Sequence, residues 1–323
     1  MNAQAAAELI EDRGESAAGE DFFRSRPFLD AEGVTHTLRI DAGDTELLVP
    51  LIVREINGGP ERDATSPYGY PGATGRVGAS DIDHTPPGSM VARVDPGDVD
   101  FSAAGLVTAF VRHTLGDPPL SGASERNVVQ IADPELPRKS RGSDRNQVNK
   151  NLRNGYELRV LHGPETAPSD RAGFLAAYGQ TMHRTGAAER YFFDSAYFDR
   201  ILESDQTWLA LAIAPDGEIA AASIAARSDA YLHYYLSGST DPHLRDSPMK
   251  NVVSALVDFS AEQGLPLNLG GGITPGDRLE EFKRGFANRE LAWHTSELVC
   301  DPEAYARLSA GRETGGFFPA YRA

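Results

Sequence analysis

The chain has 323 residues, 40% hydrophobic and 24% charged, with 31 Lys and Arg against 47 Asp and Glu for a net charge of −16. That balance excludes a chain disordered throughout, opposes general binding of nucleic acid, and at this length predicts about two domains. Its single cysteine, Cys300, excludes a disulfide framework and a cysteine-rich zinc site.

Residues 1–32 hold eight acids and three arginines and read as a largely solvated, flexible leader. Their start has neither the basic segment nor the apolar stretch of a secretory signal. The longest small-apolar run, Ile219–Ala226, falls far short of the roughly 20 residues of a spanning helix. A cytoplasmic monomer without a membrane span is the expectation. Thr35–Ile40 and Glu46–Ile56 read as strands joined by the turn Asp41-Ala42-Gly43-Asp44. A turn-rich loop follows from Asn57 to about Pro87, with Ser66-Pro67-Tyr68-Gly69-Tyr70-Pro71-Gly72 in it. Phe101–Leu115 is a helix candidate, Asn127–Ile131 a short strand, and Arg138–Asn154 a polar helix closed by Gly155. Tyr156–Leu161 is a strand.

Beyond Pro164 the spacing predicts helices over Ala172–Thr185 and Asp194–Glu203, then strands over Trp208–Ala214, Glu218–Arg227 and Tyr231–Ser237. Ser247-Pro248 is a helix start, with Met249, Val252, Val253 and Leu256 on one face and Gly264 at the end. Leu267–Leu269 is a short strand running into Gly270-Gly271-Gly272. Leu279, Phe282 and Phe286 mark another helical face, and Leu291–Val299 a last strand. The expected fold is α/β with mixed sheets and some α+β character. The expected domains are 33–162 and 163–323, with the last residues packing back on the first.

The densest signal is Tyr231-Leu-His-Tyr-Tyr-Leu-Ser-Gly-Ser239, Ser247-Pro-Met-Lys250, Leu267-Asn-Leu-Gly-Gly-Gly272 and Phe282-Lys-Arg-Gly-Phe286, in that order. This set resembles the Fem-type (FemX/FemAB-like) aminoacyltransferases of the GNAT acyltransferase superfamily. The Tyr68–Tyr70 loop is similar to a segment common in that family's first domain. The resemblance implies two GNAT-like domains in tandem, acceptor side first and acyl-donor side second. It implies an acyltransferase that takes an amino acid from aminoacyl-tRNA and forms an amide on an amine, either a natural-product intermediate or a peptidoglycan precursor. An acyl-coenzyme A-dependent N-acyltransferase is the alternative, and a non-catalytic GNAT-like binding protein a third reading. No resident cofactor and no metal site are expected.

Helical spacing puts Lys283 at the edge of the buried stripe, where a lysine either snorkels to the surface or holds an anion. The resemblance assigns it the donor phosphates or the developing oxyanion, with Arg284 reaching outward to phosphate. Tyr231, His233, Tyr235 and Ser237 share one strand face. They are either half-buried packing or, for Tyr235 and Ser237, neighbours of the acyl carbonyl. Among the histidines, His183, His233 and His294 are candidates for a base that accepts the amine proton. Arg184 and Tyr191 stand where the family meets the acceptor, though a cation ending a helix is also stabilised by its dipole. Tyr68 and Tyr70 bind substrate or pack their loop.

The loop Thr240–Ser247 has no glycine and carries Asp241 and Asp246, which disfavours the coenzyme A pyrophosphate. Arg138, Lys139, Arg141, Arg145, Lys150 and Arg153, against Asp144 alone, form a basic strip for tRNA, with Asn146, Asn149, Asn151 and Asn154 placed to touch sugar or phosphate. A solvated linker helix is the bland reading of the same strip. The glycine triplet lacks a phosphate-loop pattern and reads as close backbone approach at a sheet edge. His84, Asp81 and Asp83 cluster in a loop without metal-binding spacing.

Overall fold

The computed structural model describes residues 5–77, 90–312 and 316–323; His84, Asp81 and Asp83 lie outside them. The chain clusters into two units, Met1–Arg126 with Trp293–Ala323, and Asn127–Ala292.

In the first unit β1 (Ala5–Ile10) pairs antiparallel with β2 (His36–Asp41), which forms the expected hairpin with β3 (Thr45–Glu55). The leader is therefore not solvated. Between β1 and β2 lies the short helix α1 (Arg26–Ala31), and Phe22, Phe23, Phe28 and Leu29 are fully buried. Their rings pack edge to face, Phe22 on Phe23 at 5.1 Å and Phe23 on Phe28 at 5.4 Å. Each such side chain contributes on the order of 2 kcal/mol by leaving water. Net charge averaged over 32 positions hides four large apolar groups crowded into eight.

Strands β4 (Arg62–Thr65) and β5 (Thr74–Val77) flank β3 within the turn-rich region, and β6 (Val99–Asp100) pairs parallel with β1. The helix expected over Phe101–Leu115 is absent: a 3-10 turn at Ser102–Ala104 leads into β7 (Thr108–Arg112), parallel to β4. Ala109 and Val111 are buried and Phe110 between them is not, which is strand alternation. An apolar run this short satisfies both periods.

Strand β8 (Ser124–Ala132) carries the chain into the second unit, followed by α2 (Gly142–Arg153) and β9 (Glu157–His162). Gly155 takes a positive φ of 92° directly after the α2 cap. Then come α3 (Pro168–Thr185), α4 (Ser195–Ile201), β10 (Thr207–Ile213), β11 (Ile219–Arg227), β12 (Leu232–Ser239), α5 (Met249–Glu262), β13 (Leu267–Gly270) and α6 (Arg278–Arg284). The strand order is β8-β13-β12-β11-β10-β9, antiparallel except for β12 with β13. The boundary expected at 162 is displaced because β9 pairs with β10, Leu211 opposite Arg159, and α2 packs on α5.

The sheet is covered on both faces. Ala210, Ala212, Ala221 and Ala225 pack with Val252, Val253 and Leu256 of α5, while α3 lies along β11 and β12. Ser247 does not cap α5 in extended form. It takes a left-handed φ of 49° and closes a 3-10 turn over Asp241–Asp246, leaving Pro248 at the helix boundary.

The chain leaves this unit along β14 (Arg289–Val299), whose later part pairs antiparallel with β7, Glu297 opposite Phe110. In α7 (Pro302–Ser309), Ala304 packs with Ile56, Val107 and Tyr321, and the Tyr321 hydroxyl lies 2.7 Å from Thr108 Oγ1. Among the described residues, no helix is long and apolar enough to cross a membrane.

Candidate functional site

The second unit opens where its two parallel strands part. Strands β12 and β13 pair at Leu232–Leu267 and His233–Asn268 only. Gly270 then lies opposite Gln130 of β8, while β12 continues beside β11. Ala225 faces Tyr234 and Ile224 faces Leu236, so Tyr235 is the extra residue of a β-bulge. The bulge breaks the alternation on which the sequence placed Tyr235 and Ser237 together. Ser237 Oγ donates to the Tyr234 hydroxyl at 2.6 Å, and Tyr235 meets the Tyr197 hydroxyl at 3.1 Å. Burial pushes the Tyr234 phenol up to about 12, so it stays protonated at neutral pH.

At the end of β13, Gly270 has a φ of +76°, and a Cβ there would stand 3.1 Å from Lys283 Nζ. Lys283 comes from α6, whose first turn is fixed by Asp277: its carboxylate accepts from the N–H of Ile273 at 2.7 Å and of Glu280 at 2.8 Å. Lys283 is 8% exposed, and its Nζ donates to the Gly271 carbonyl at 2.6 Å. Burial lowers its pKa to about 8, against the opposing pull of Asp277 and Glu280. The amine does not snorkel; it is held over the glycine turn just past the point where β12 and β13 separate. Leu279, expected on the buried face, is 40% exposed, and Phe282 and Phe286 carry the packing.

Of the candidate bases, His233 is fully committed. Asn268 Oδ1 accepts from the Gly270 N–H at 2.8 Å, so its Nδ2 donates to His233 Nδ1 at 3.0 Å. The other ring nitrogen, Nε2, then carries the proton and donates to Ser228 Oγ at 2.8 Å. Burial lowers the His233 pKa to about 3. The unfolded ring takes up a proton near pH 6.5 and the folded ring does not, so stability falls as pH drops from 6.5 toward 3. Between pH 7 and pH 5, wild type should lose about 2 kcal/mol more than His233→Gln in urea unfolding. Equal losses would show that the buried ring is not neutral. His183, on the exposed last turn of α3, packs against Phe192 with ring centroids 4.9 Å apart and planes tilted by 57°. His294 lies in the first unit, where it helps burial lower the His113 pKa to about 4.

The arginines singled out from the sequence are largely spoken for. Arg184 pairs with Asp241 and donates to the Ser239 carbonyl at 3.3 Å, which braces the turn after β12. Arg284 pairs with Glu280 and lies 3.4 Å from Glu290. The Tyr191 ring lies under the Arg190 guanidinium at 4.9 Å, and its carbonyl accepts from Tyr178. In the first unit, Tyr70 packs edge-on to Phe23 at 5.5 Å and Trp293 at 5.4 Å. Tyr68 lies 5.4 Å from the Arg112 guanidinium and donates its N–H to Glu32.

The basic strip divides. Arg138 pairs with Asp258, and Arg141 lies 3.6 Å from Glu281. Lys139, Arg145, Lys150 and Arg153 are exposed, with no ion-pair partner among the described residues. Asn151 does not face a ligand. It is fully buried, donating to the Asp246 carbonyl and to Asn251 Oδ1 at 2.7 Å each. Gln147 joins it on the same carbonyl at 3.0 Å, and Tyr156 donates to the Asp246 carboxylate at 2.9 Å. Sequence reading also missed Lys250, whose ammonium meets the buried Asp144 at 2.9 Å and ties α5 to α2. Lys250 ends the Ser247-Pro-Met-Lys250 segment and Asp144 is the lone acid of the strip, but nothing in their spacing pairs residues 106 positions apart. Among the described residues, no three His, Cys, Asp or Glu side chains group to hold a metal ion.

A mixed sheet whose parallel pair splits beside a bulge is the arrangement of the GNAT fold. Residues 138–284 match the family model described as an acetyltransferase (GNAT) domain. None of the curated protein sequences matches the chain. Among solved structures, the C-terminal domain of a protein titled lysylphosphatidylglycerol synthetase, from Agrobacterium fabrum, is 14% identical at a TM-score of 0.55, covering 91% of this chain and 92% of its own. FemX is 10% identical at 0.55, covering 84% and 90%, so the Fem-type resemblance extends to the fold. L-PGS from Bacillus licheniformis is 13% identical at 0.53, covering 84% and 86%.

Proposed function

We propose that the chain is an aminoacyl-tRNA-dependent aminoacyltransferase that forms an amide on an amine acceptor, a natural-product intermediate or a peptidoglycan precursor. The observation that carries this reading is the buried Lys283 ammonium at the end of the parted strands. The acceptor amine attacks the ester carbonyl of the donor, and a C–N bond forms. The oxyanion of the tetrahedral intermediate is stabilised by the Lys283 ammonium. The ester C–O bond then breaks, and the ribose oxygen leaves as a hydroxyl, taking the proton that the amine gives up. Tyr235 and Ser237 sit on the bulged strand beside that carbonyl. Arg184 and Tyr191 bind substrate in the second unit, and Tyr68 and Tyr70 bind substrate in the first.

The turn before α5 supports a donor other than coenzyme A. It presents Asp241 and Asp246 where a pyrophosphate would need N–H groups, and Pro242 and Pro248 have none. An acyl-coenzyme A reading is favoured only by the acetyltransferase description of the matching family model. Incubation with radiolabelled aminoacyl-tRNA or acetyl-coenzyme A and a pool of amines, read by mass spectrometry, separates the two. A new amide with coenzyme A alone refutes the proposal.

Arg145 and Lys150 should carry the tRNA contact. Reversing both charges is expected to raise KM for aminoacyl-tRNA about tenfold or more, leave KM for the amine unchanged, and lower the salt slope of tRNA binding by about two. Equal effects on both substrates would remove the strip from the site.

A further inference from the structure

Beside the glycine turn lies a cavity of about 300 Å³, lined by Gln130, Lys139, Arg284, Asn288, Arg289 and Glu290, with Ala287. This is the lower end of the range for small-molecule sites, about 300–1,000 Å³. Most of its polar groups are already satisfied. Asn288 exchanges hydrogen bonds with the Asp133 backbone at 2.8 and 2.9 Å, and Arg289 pairs with the Asp133 carboxylate at 3.0 Å. Arg284 is held by Glu280 and Glu290.

Two groups are left over. Gln130 is 1% exposed, and its amide nitrogen Nε2 donates to Glu290 at 3.1 Å, which fixes the amide so that Oε1 is the other atom. Oε1 has no hydrogen-bond partner, and an orphaned buried acceptor destabilises the fold. Lys139 is exposed and has no partner among the described residues. A ligand that completes the cavity must donate a hydrogen bond at one end and bear negative charge at the other. An ammonium is disfavoured, because Glu290 is already met by Arg284 and Gln130, while Lys139 has no ion-pair partner among the described residues. The guanidinium planes of Arg284 and Arg289 suit a flat ring more than a sugar.

We propose that this cavity binds one nucleotide, its base donating an exocyclic N–H to Gln130 Oε1 and its phosphate meeting Lys139. Lys139 begins the strip that continues through Arg145, Lys150 and Arg153, so the nucleotide belongs to an RNA chain. Gln130 lies opposite Gly270 in the β8–β13 register, one strand from the turn beneath Lys283. The RNA source rests on the aminoacyl-tRNA reading; nucleotide binding itself does not.

Calorimetric titration of the full chain with AMP, CMP and ribose 5-phosphate tests it. AMP or CMP should bind at least about tenfold more tightly than ribose 5-phosphate, and Gln130→Leu should remove about tenfold of that affinity. Lys139→Ala, at an exposed position, should weaken all the phosphates several-fold. Equal binding of AMP, CMP and ribose 5-phosphate, or unchanged affinities in Gln130→Leu and Lys139→Ala, overturns the proposal. In turnover assays Gln130→Leu should raise KM for aminoacyl-tRNA and not for the amine; a rise confined to acyl-coenzyme A overturns the RNA assignment. Wild-type turnover on aminoacyl-tRNA with unchanged KM in the variant would sink this site alone. Absence of that turnover would sink the functional reading, whatever AMP does.

Discussion

Lys283→Met is expected to lower kcat by at least about 100-fold, the loss typical of removing one oxyanion donor, while making the fold more stable at neutral pH. The two effects have one cause. Lys283 is 8% exposed, and burial depresses its pKa to about 8 from the 10.5 of a free lysine. The unfolded amine keeps its proton up to pH 10.5; the folded amine releases it near 8. Below pH 8 the cost of burying the ammonium stands in full. Between 8 and 10.5 the unfolded state holds more protons, so wild-type stability rises with pH. The advantage of Lys283→Met in urea unfolding should shrink by on the order of 2 kcal/mol from pH 7 to pH 10. Turnover should fall above pH 8 as the ammonium disappears. A rate that climbs through the same range would make the amine a base, and unchanged turnover in the variant would take it out of the site.

Local rules made much of this unit legible. The strand patterns over Trp208–Ala214, Glu218–Arg227 and Tyr231–Ser237 and the 3.6-residue stripe of Val252, Val253 and Leu256 depend only on near neighbours, and they appear as the β10–β11 hairpin, β12 and α5. The bulge at Tyr235 was not legible, because one residue too many in a strand shows only against the partner strand's register. The strip was half legible for the same reason: its charges are local, but the acid that neutralises Arg138 is 120 positions away. The orphaned Gln130 acceptor left no trace, since its surroundings are drawn from β8, the end of α6 and the start of β14. Lys283 is the informative middle case. The Phe-Lys-Arg-Gly-Phe spacing placed it at the edge of a buried face, and whether it turned in or out depended on a carbonyl 12 positions upstream.

Gly238→Ala should be the most damaging small substitution in β12. A Cβ at Gly238 would stand 2.3 Å from the Ala177 carbonyl oxygen and 2.5 Å from Tyr178 Cα, both backbone atoms of α3. Side chains can rotate away from such a clash; a helix backbone must move as a body. A loss of about 3 kcal/mol or more is expected in urea unfolding. Moving α3 also slackens the grip of Arg184 on the Ser239 carbonyl, so turnover should drop further than the folded fraction does. Gly179→Ala is the matched control, on α3 itself, because nothing lies within 4 Å of the Cβ it would gain. There the helix loses a flexible residue and should gain up to about 1 kcal/mol. Opposite signs from two glycine-to-alanine changes would locate the constraint in the contact between α3 and β12. Similar small effects from both would mean that the helix stands further from the strand than these distances require.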